Sequence, residues 1–296
     1  TEDGTHGTAV TSILAALNDG TSPLSGTLGG AFTAQEAPPA FARTFAAGIA
    51  GDPRSIDTFE ALVALATISA MGDVDAVNLS FGSEFVLDFT VNNSRAYWTP
   101  IFNLLAGRTL VVVAASNSGT DATYTTPASL SLTMPHVLTV GATAAINTDG
   151  TGESGDARAV FNKSIPLLRR HLACDLNKKV EGSNCGAPIG LAAAGEDFMV
   201  SNGSGNPDDL AIDYGGRGTS FAAPIVAGAA GLLQALQGVG GVPLSPVELK
   251  QALLDTADDI SATWRPGSME RLNMLEAVRP FLPSALFPQR ILVADE

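Results

Sequence analysis

Cysteine, histidine and basic residues are all scarce in this sequence, and each scarcity removes a class of function. Two cysteines and three histidines in 296 residues cannot build a disulfide-framework scaffold. No second Cys or His pair has zinc-site spacing either. Lys and Arg number 16 against 30 Asp and Glu, a formal charge of −14. That field repels phosphate backbones and anionic lipid surfaces, so nucleic acid is not an expected partner. No stretch of about 18 uninterrupted apolar residues occurs. The opening TEDGTHGT has neither the basic nor the apolar region of a signal peptide. The expectation is a soluble chain that has been processed or truncated.

What is present is apolar: 45% of the residues are hydrophobic, enough to bury the core of one large domain. Short β-rich runs at 27–34, 75–82, 109–116, 136–143 and 191–195 alternate with helix-like stretches at 6–17, 56–71, 95–106, 220–236 and 246–257. This alternation predicts an α/β fold of three layers, a mostly parallel sheet with helices on both faces. Ser245, Pro246 and Glu248 read as a capping box opening the last of these helices. Residues 144–188 and 201–216 read as insertions or long loops. The first holds Cys174 and Cys185, either two reduced thiols or a disulfide contributing up to about 3 kcal/mol by loop entropy.

Three places carry chemistry. In RGTSFAAPIVAGAAGLLQAL (217–236), Ser220 stands at the entrance to an apolar helix, beside unpaired backbone N–H groups and a positive helix end. That setting suits an oxygen nucleophile, although serine also caps helices with no further role. Pro224 reads as a first-turn residue, with no intrahelical hydrogen bond to lose. In DGTHGTAVTSILAAL (3–17), His6 heads another apolar helix; His136 precedes a strand and His171 lies in a polar insertion. In VVVAASNSG (111–119), a buried strand ends at Ser116 and Asn117, where an amide N–H₂ could meet an oxyanion or simply make a turn.

Together HGTAV, VNLSFG, VVVAASNSG, LTVGAT and GTSFAAPIVAGAAGLL resemble, in order and approximate spacing, the motifs of the subtilisin-like serine peptidases. The resemblance covers most of residues 3–278. It implies that Ser220 is the nucleophile, that His6 is the general base and acid, and that Asn117 and the Ser220 N–H form the oxyanion hole. It also implies that Ser80, Phe81 and Gly82 edge the substrate cleft, and that Ala114, Ala115 and Ser116 wall the primary specificity pocket. Ser116 departs from the family, which usually has Gly there.

The family's catalytic aspartate lies tens of residues before its histidine, and only five residues precede His6. The aspartate and the first two strands are therefore expected upstream of this chain, which alone should be weakly active or inactive, with an N-terminal segment as partner. Asp3 is too close in sequence to serve; Asp295, in the C-terminal RILVADE, is a less favoured candidate. Residues 1–283 are read as the catalytic domain, incomplete at its N-terminus, and 284–296 as a tail or edge strand. The implied activity is endopeptidase; a catalytically silent subtilase fold that binds peptides is the alternative. Esterase chemistry is disfavoured because the G-x-S-x-G elbow is missing. No cofactor is required for the chemistry. SNGSGNPDDLAID (201–213) offers oxygen atoms for a structural calcium, but its spacing matches no specific loop. Extracellular or periplasmic localisation follows from family habit and the potential disulfide.

Overall fold

The computed structural model describes residues 5–15, 58–144, 157–177, 179–196, 198–201, 212–240, 242–264 and 266–281. The expected strand at 27–34, Asp3, Asp295 and most of the 201–213 loop lie outside them.

A six-stranded sheet runs through the described core in the order β1 (Ala76–Leu79), β3 (Leu110–Ala114), β5 (Val137–Thr143), β8 (Ile189–Ala194), β12 (Glu270–Arg271) and β11 (Asp258–Asp259). All of its pairings are parallel except β12 with β11. The remaining strands form two-stranded ribbons: β2 (Ser83–Glu84) with β4 (Thr125–Thr126), β6 (Val160–Ser164) with β7 (Val180–Gly182), and β9 (Phe198–Ser201) with β10 (Ile212–Gly216).

Every residue of β3 and β5 is buried, as a parallel strand covered on both faces requires. Because side chains alternate along a strand, β3 feeds two cores. Leu110, Val112 and Ala114 pack under helices α4 (Thr219–Gly240) and α5 (Pro246–Asp255), among Val226, Ala230, Leu233 and Leu249. Val111 and Val113 face the opposite layer, helices α2 (Thr58–Met71) and α3 (Asp88–Leu105), among Leu65, Trp98, Phe102 and Leu105. The three-layer α/β architecture expected from the sequence is thus the observed one. Helix α1 (Thr5–Ala15) packs Ala9 and Ile13 against Phe221 at the head of α4. Helix α6 (Met274–Val278), the last α-helix among the described residues, adds Ala277 to the α4 core.

Helix α4 is long and apolar enough to cross a membrane, but 67% of that stretch is buried. Its alanines and glycines let it run close to the sheet, which is where its apolar surface goes. The predicted helix at 95–106 begins seven residues earlier, at Asp88: in the polar NNSR turn Asn92 and Asn93 face solvent, Ser94 and Arg95 hydrogen-bond to Thr126, Ser129 and the Thr123 carbonyl, and Val91 before them is buried. The capping box at Ser245 is present, with both reciprocal hydrogen bonds.

The insertion at 144–188 is not a long loop where it is described. Its ribbon β6–β7 and a 3-10 turn at Leu167–Leu172 pack onto the segment that follows β3. Cys174 and Cys185 form a disulfide, which settles the two open alternatives.

Candidate active site

Parallel sheets place ligands at the carboxyl ends of their strands, and three such ends converge on the start of α4. Past β8, Gly195 O accepts the Gly218 N–H at 2.7 Å. Past β3, Asn117 Oδ1 accepts the Thr219 N–H at 2.8 Å and the Thr219 hydroxyl at 3.2 Å. Past β1, the Ser80 hydroxyl donates to the Ser220 carbonyl at 2.8 Å. Ser220 is therefore held from neighbouring residues by all three strands.

The amide of Asn117 is oriented by these contacts. Its oxygen is committed to Thr219, leaving Nδ2 without a protein partner among the described residues. Thr219 Oγ1 also accepts the Ser116 N–H at 3.1 Å, so one side chain fixes both residues of the turn. Gly218 must be glycine for two reasons. Its φ is +131°, a region L side chains rarely adopt, and a Cβ there would sit 3.1 Å from both amide heavy atoms of Asn117. As the second residue of α4, Ser220 also keeps a backbone N–H with no partner four residues back in the helix.

Pro224 is the sixth residue of α4, deeper than the first turn expected from the sequence. A residue there would normally donate its N–H to the carbonyl four back, which is that of Ser220. Proline cannot, and the hydroxyl of Ser80 supplies the missing donor. Ser80 in turn accepts from Asn78 Nδ2 at 2.9 Å.

His6 lies at the head of α1 with its ring centroid 6.0 Å from that of Phe221, next in sequence to Ser220. The structure thus brings His6, Asn117 and Ser220 to one end of the sheet. Desolvation by surrounding protein pushes the His6 imidazole below its ordinary pKa, which favours the neutral ring. Among the described residues no carboxylate contacts it. His136, by contrast, is buried with Nε2 2.9 Å from the Phe102 carbonyl, a structural role.

Of the other expected site residues, Phe81 turns its ring toward Trp98, centroids 5.8 Å apart. Gly82 lies where a Cβ would come within 3.2 Å of Thr125 and Thr126. Ala114 and Ala115 are buried, Ala115 in a small core with Trp264. Ser116 is half-buried, with φ +79°.

Sequence reasoning missed Glu84, Ser118, Thr219 and Arg169. Both Ser116 and Ser118 donate to Glu84, which is also paired with Arg169 Nη1. An acid two residues beyond SFG was the available signal for Glu84; nothing local marks Arg169, which arrives from the insertion. That insertion also secures the Asn117 segment through its backbone. Asn184, Gly182, Cys174 and Cys185 donate N–H groups to the carbonyls of Ser116, Asn117, Gly119 and Thr120 respectively. Among the described residues no group of three or more Asp, Glu, His or Cys could hold a metal ion.

No curated protein shows significant similarity to the chain. Among solved structures, the prenylagaramide maturation protease PagA is similar at 23% identity and TM-score 0.58, over 94% of this chain and 82% of that one. A protease from Pseudoalteromonas arctica PAMC 21717 is similar at 20% identity and TM-score 0.54, over 94% and 71%. A cold adapted subtilisin-like serine proteinase matches at 23% identity and TM-score 0.49, over 75% of this chain but only 63% of its own. These likenesses concern the fold. The family model described as the subtilase family matches residues 1–275, nearly the whole sequence, and the chain belongs to the subtilase family.

Proposed function

We propose that this protein is a serine endopeptidase. Ser220 Oγ attacks a peptide carbonyl, His6 accepts the hydroxyl proton and returns it to the leaving amine, and water then releases the acyl group by the same route. The developing oxyanion is received by Asn117 Nδ2 and the Ser220 N–H. The observation that carries this reading is the Asn117 amide. With its oxygen tied to Thr219, the residue before Ser220, its N–H₂ is an uncommitted donor among the described residues. No cofactor enters these steps. The Cys174–Cys185 disulfide fits an oxidising location, extracellular or periplasmic.

The test is hydrolysis of an unstructured polypeptide by the full-length natural protein and its Ser220→Ala and His6→Ala variants. Cleavage by the wild type, lost in both variants, is expected. Equal cleavage by Ser220→Ala would contradict the proposal. One observation favours a catalytically silent, peptide-binding fold instead, the lack of a carboxylate against His6 among the described residues. Saturable peptide binding without turnover in the full-length protein would support it.

A further inference from the structure

Asn117 has serine neighbours in the chain on both sides, and their hydroxyls do not join its network. Ser116 and Ser118 turn their hydroxyls away from Thr219, onto the two carboxylate oxygens of Glu84. Glu84 follows the SFG segment in β2, so this cluster links the chain past β1 to the chain past β3 on both sides of Asn117. The third donor to Glu84 is Arg169 Nη1, which also reaches Ser118 Oγ at 3.3 Å.

The two charges are exposed unequally. Side-chain exposure is 9% for Glu84 and 32% for Arg169, so the carboxylate is the buried anchor and the guanidinium the accessible face. Arg169 uses only Nη1; Nε and Nη2 have no partner among the described residues. A guanidinium fixed at one corner with a free edge of two donors matches the two acceptor oxygens of a planar carboxylate, and meets a carboxamide through its single oxygen only. An incoming ammonium would meet that cation instead, with the Glu84 charge already compensated.

We propose that the Glu84–Arg169 pair is a specificity element that selects a glutamate, or less strongly a glutamine, as the substrate residue supplying the cleaved carbonyl. This rests on the peptidase reading. Ser116 and Ser118 flank the amide assigned to the oxyanion, and their hydroxyls lead directly to the Glu84–Arg169 pair, so in this proposal the pair borders the substrate residue whose carbonyl is attacked. The net charge of −14 opposes polyacidic substrates at long range. It does not decide a contact at hydrogen-bond distance, because screening in physiological salt acts beyond about 8 Å.

The test uses the full-length natural protein and peptides differing only at that residue (Glu, Gln, Leu, Lys), alongside fluorophosphonate labelling of Ser220. The wild type should favour Glu over Lys in kcat/KM by on the order of tenfold or more, the scale of a hydrogen bond to a charged group. Arg169→Gln should remove that preference and raise Lys cleavage by exposing the Glu84 carboxylate. Arg169→Lys, which keeps the charge but not the fork, should retain part of the Glu preference, and it serves if the glutamine variant folds poorly. A labelled wild type that cleaves Lys or Leu peptides as well as Glu peptides would overturn the proposal. So would a labelled Arg169→Gln with the wild-type ranking or, where that variant folds poorly, a labelled Arg169→Lys whose Glu-over-Lys ratio equals that of the wild type. Absence of labelling in the wild type would overturn the peptidase reading, and this inference with it.

Discussion

At the scale of single residues, orientation of the Asn117 amide is the decisive feature. If Asn117 acts as proposed, its replacement with Ala removes one of the two oxyanion donors and should lower kcat by about 10²–10³, with little change in KM. Gly218→Ala should do damage from the other side. It forces an L side chain to φ +131° and against the amide, so we expect a loss of about 1–3 kcal/mol in chemical denaturation, accompanied by reduced turnover. His6 gives a pH prediction. Its folded-state pKa is depressed by desolvation, so the neutral, proton-accepting ring persists below the ordinary imidazole range. The acid limb of kcat/KM should therefore fall below the ordinary imidazole value. The linked stability has the same sign: it is fully present above the unfolded-state pKa and lost as pH falls through the folded one. A limb above that value would show that charge stabilisation of the imidazolium outweighs desolvation.

At the scale of elements, α4 depends on a hydroxyl from outside itself. Pro224 cannot donate to Ser220 O, and Ser80 does so in its place. Ser80→Ala should cost about 1–3 kcal/mol by leaving that carbonyl unpaired. Pro224→Ala in the same background should restore part of the loss, because alanine's N–H completes the helix ladder. A double-mutant cycle by denaturation checks this, and additivity of the two changes would contradict it. These elements also show what could be read from the sequence and why. The buried strands LVVVA and VLTVGAT are nearly all apolar, and GTSFAAPIVAGAAGLL combines a helix entrance with small residues. Local pattern therefore placed β3, β5, α4 and the residues Asn117 and Ser220. Pro224 lies deeper than the first turn because the helix also takes in Thr219, ahead of the serine that the pattern marks as its entrance. Thr219 was passed over because its partners lie about 100 residues away.

At the scale of the whole molecule, the insertion and the sheet act together. Its backbone N–H groups hold the carbonyls of the Asn117 segment, and the Cys174–Cys185 bridge closes the loop that provides all four of them. Reduction, or Cys174→Ser with Cys185→Ser, should destabilise the protein by up to about 3 kcal/mol. It should also lower kcat more than KM rises, since the oxyanion amide loses its backing; an unchanged kcat after complete reduction would separate the insertion from catalysis. A disulfide is one of the two readings that CDLNKKVEGSNC allows, but the support it gives the Asn117 segment is not legible in a polar, aperiodic stretch, because that role is set by hydrogen bonds to residues more than 50 positions earlier. The pairing of Glu84 with Arg169 was hidden for the same reason. Only the position of Glu84 just beyond SFG hints at one partner, nothing local marks Arg169, and the folded chain brings β2 against the 3-10 turn.

The central claim is that the helix-entrance serine, the histidine of α1 and the amide past β3 form one reacting site. Fluorophosphonate treatment of the full-length protein, with the adduct mapped by mass spectrometry, tests it most directly. A single adduct on Ser220, formed far more slowly in His6→Ala and in Asn117→Ala, is the expected result. A folded protein that forms no adduct, or forms it elsewhere, would contradict the account.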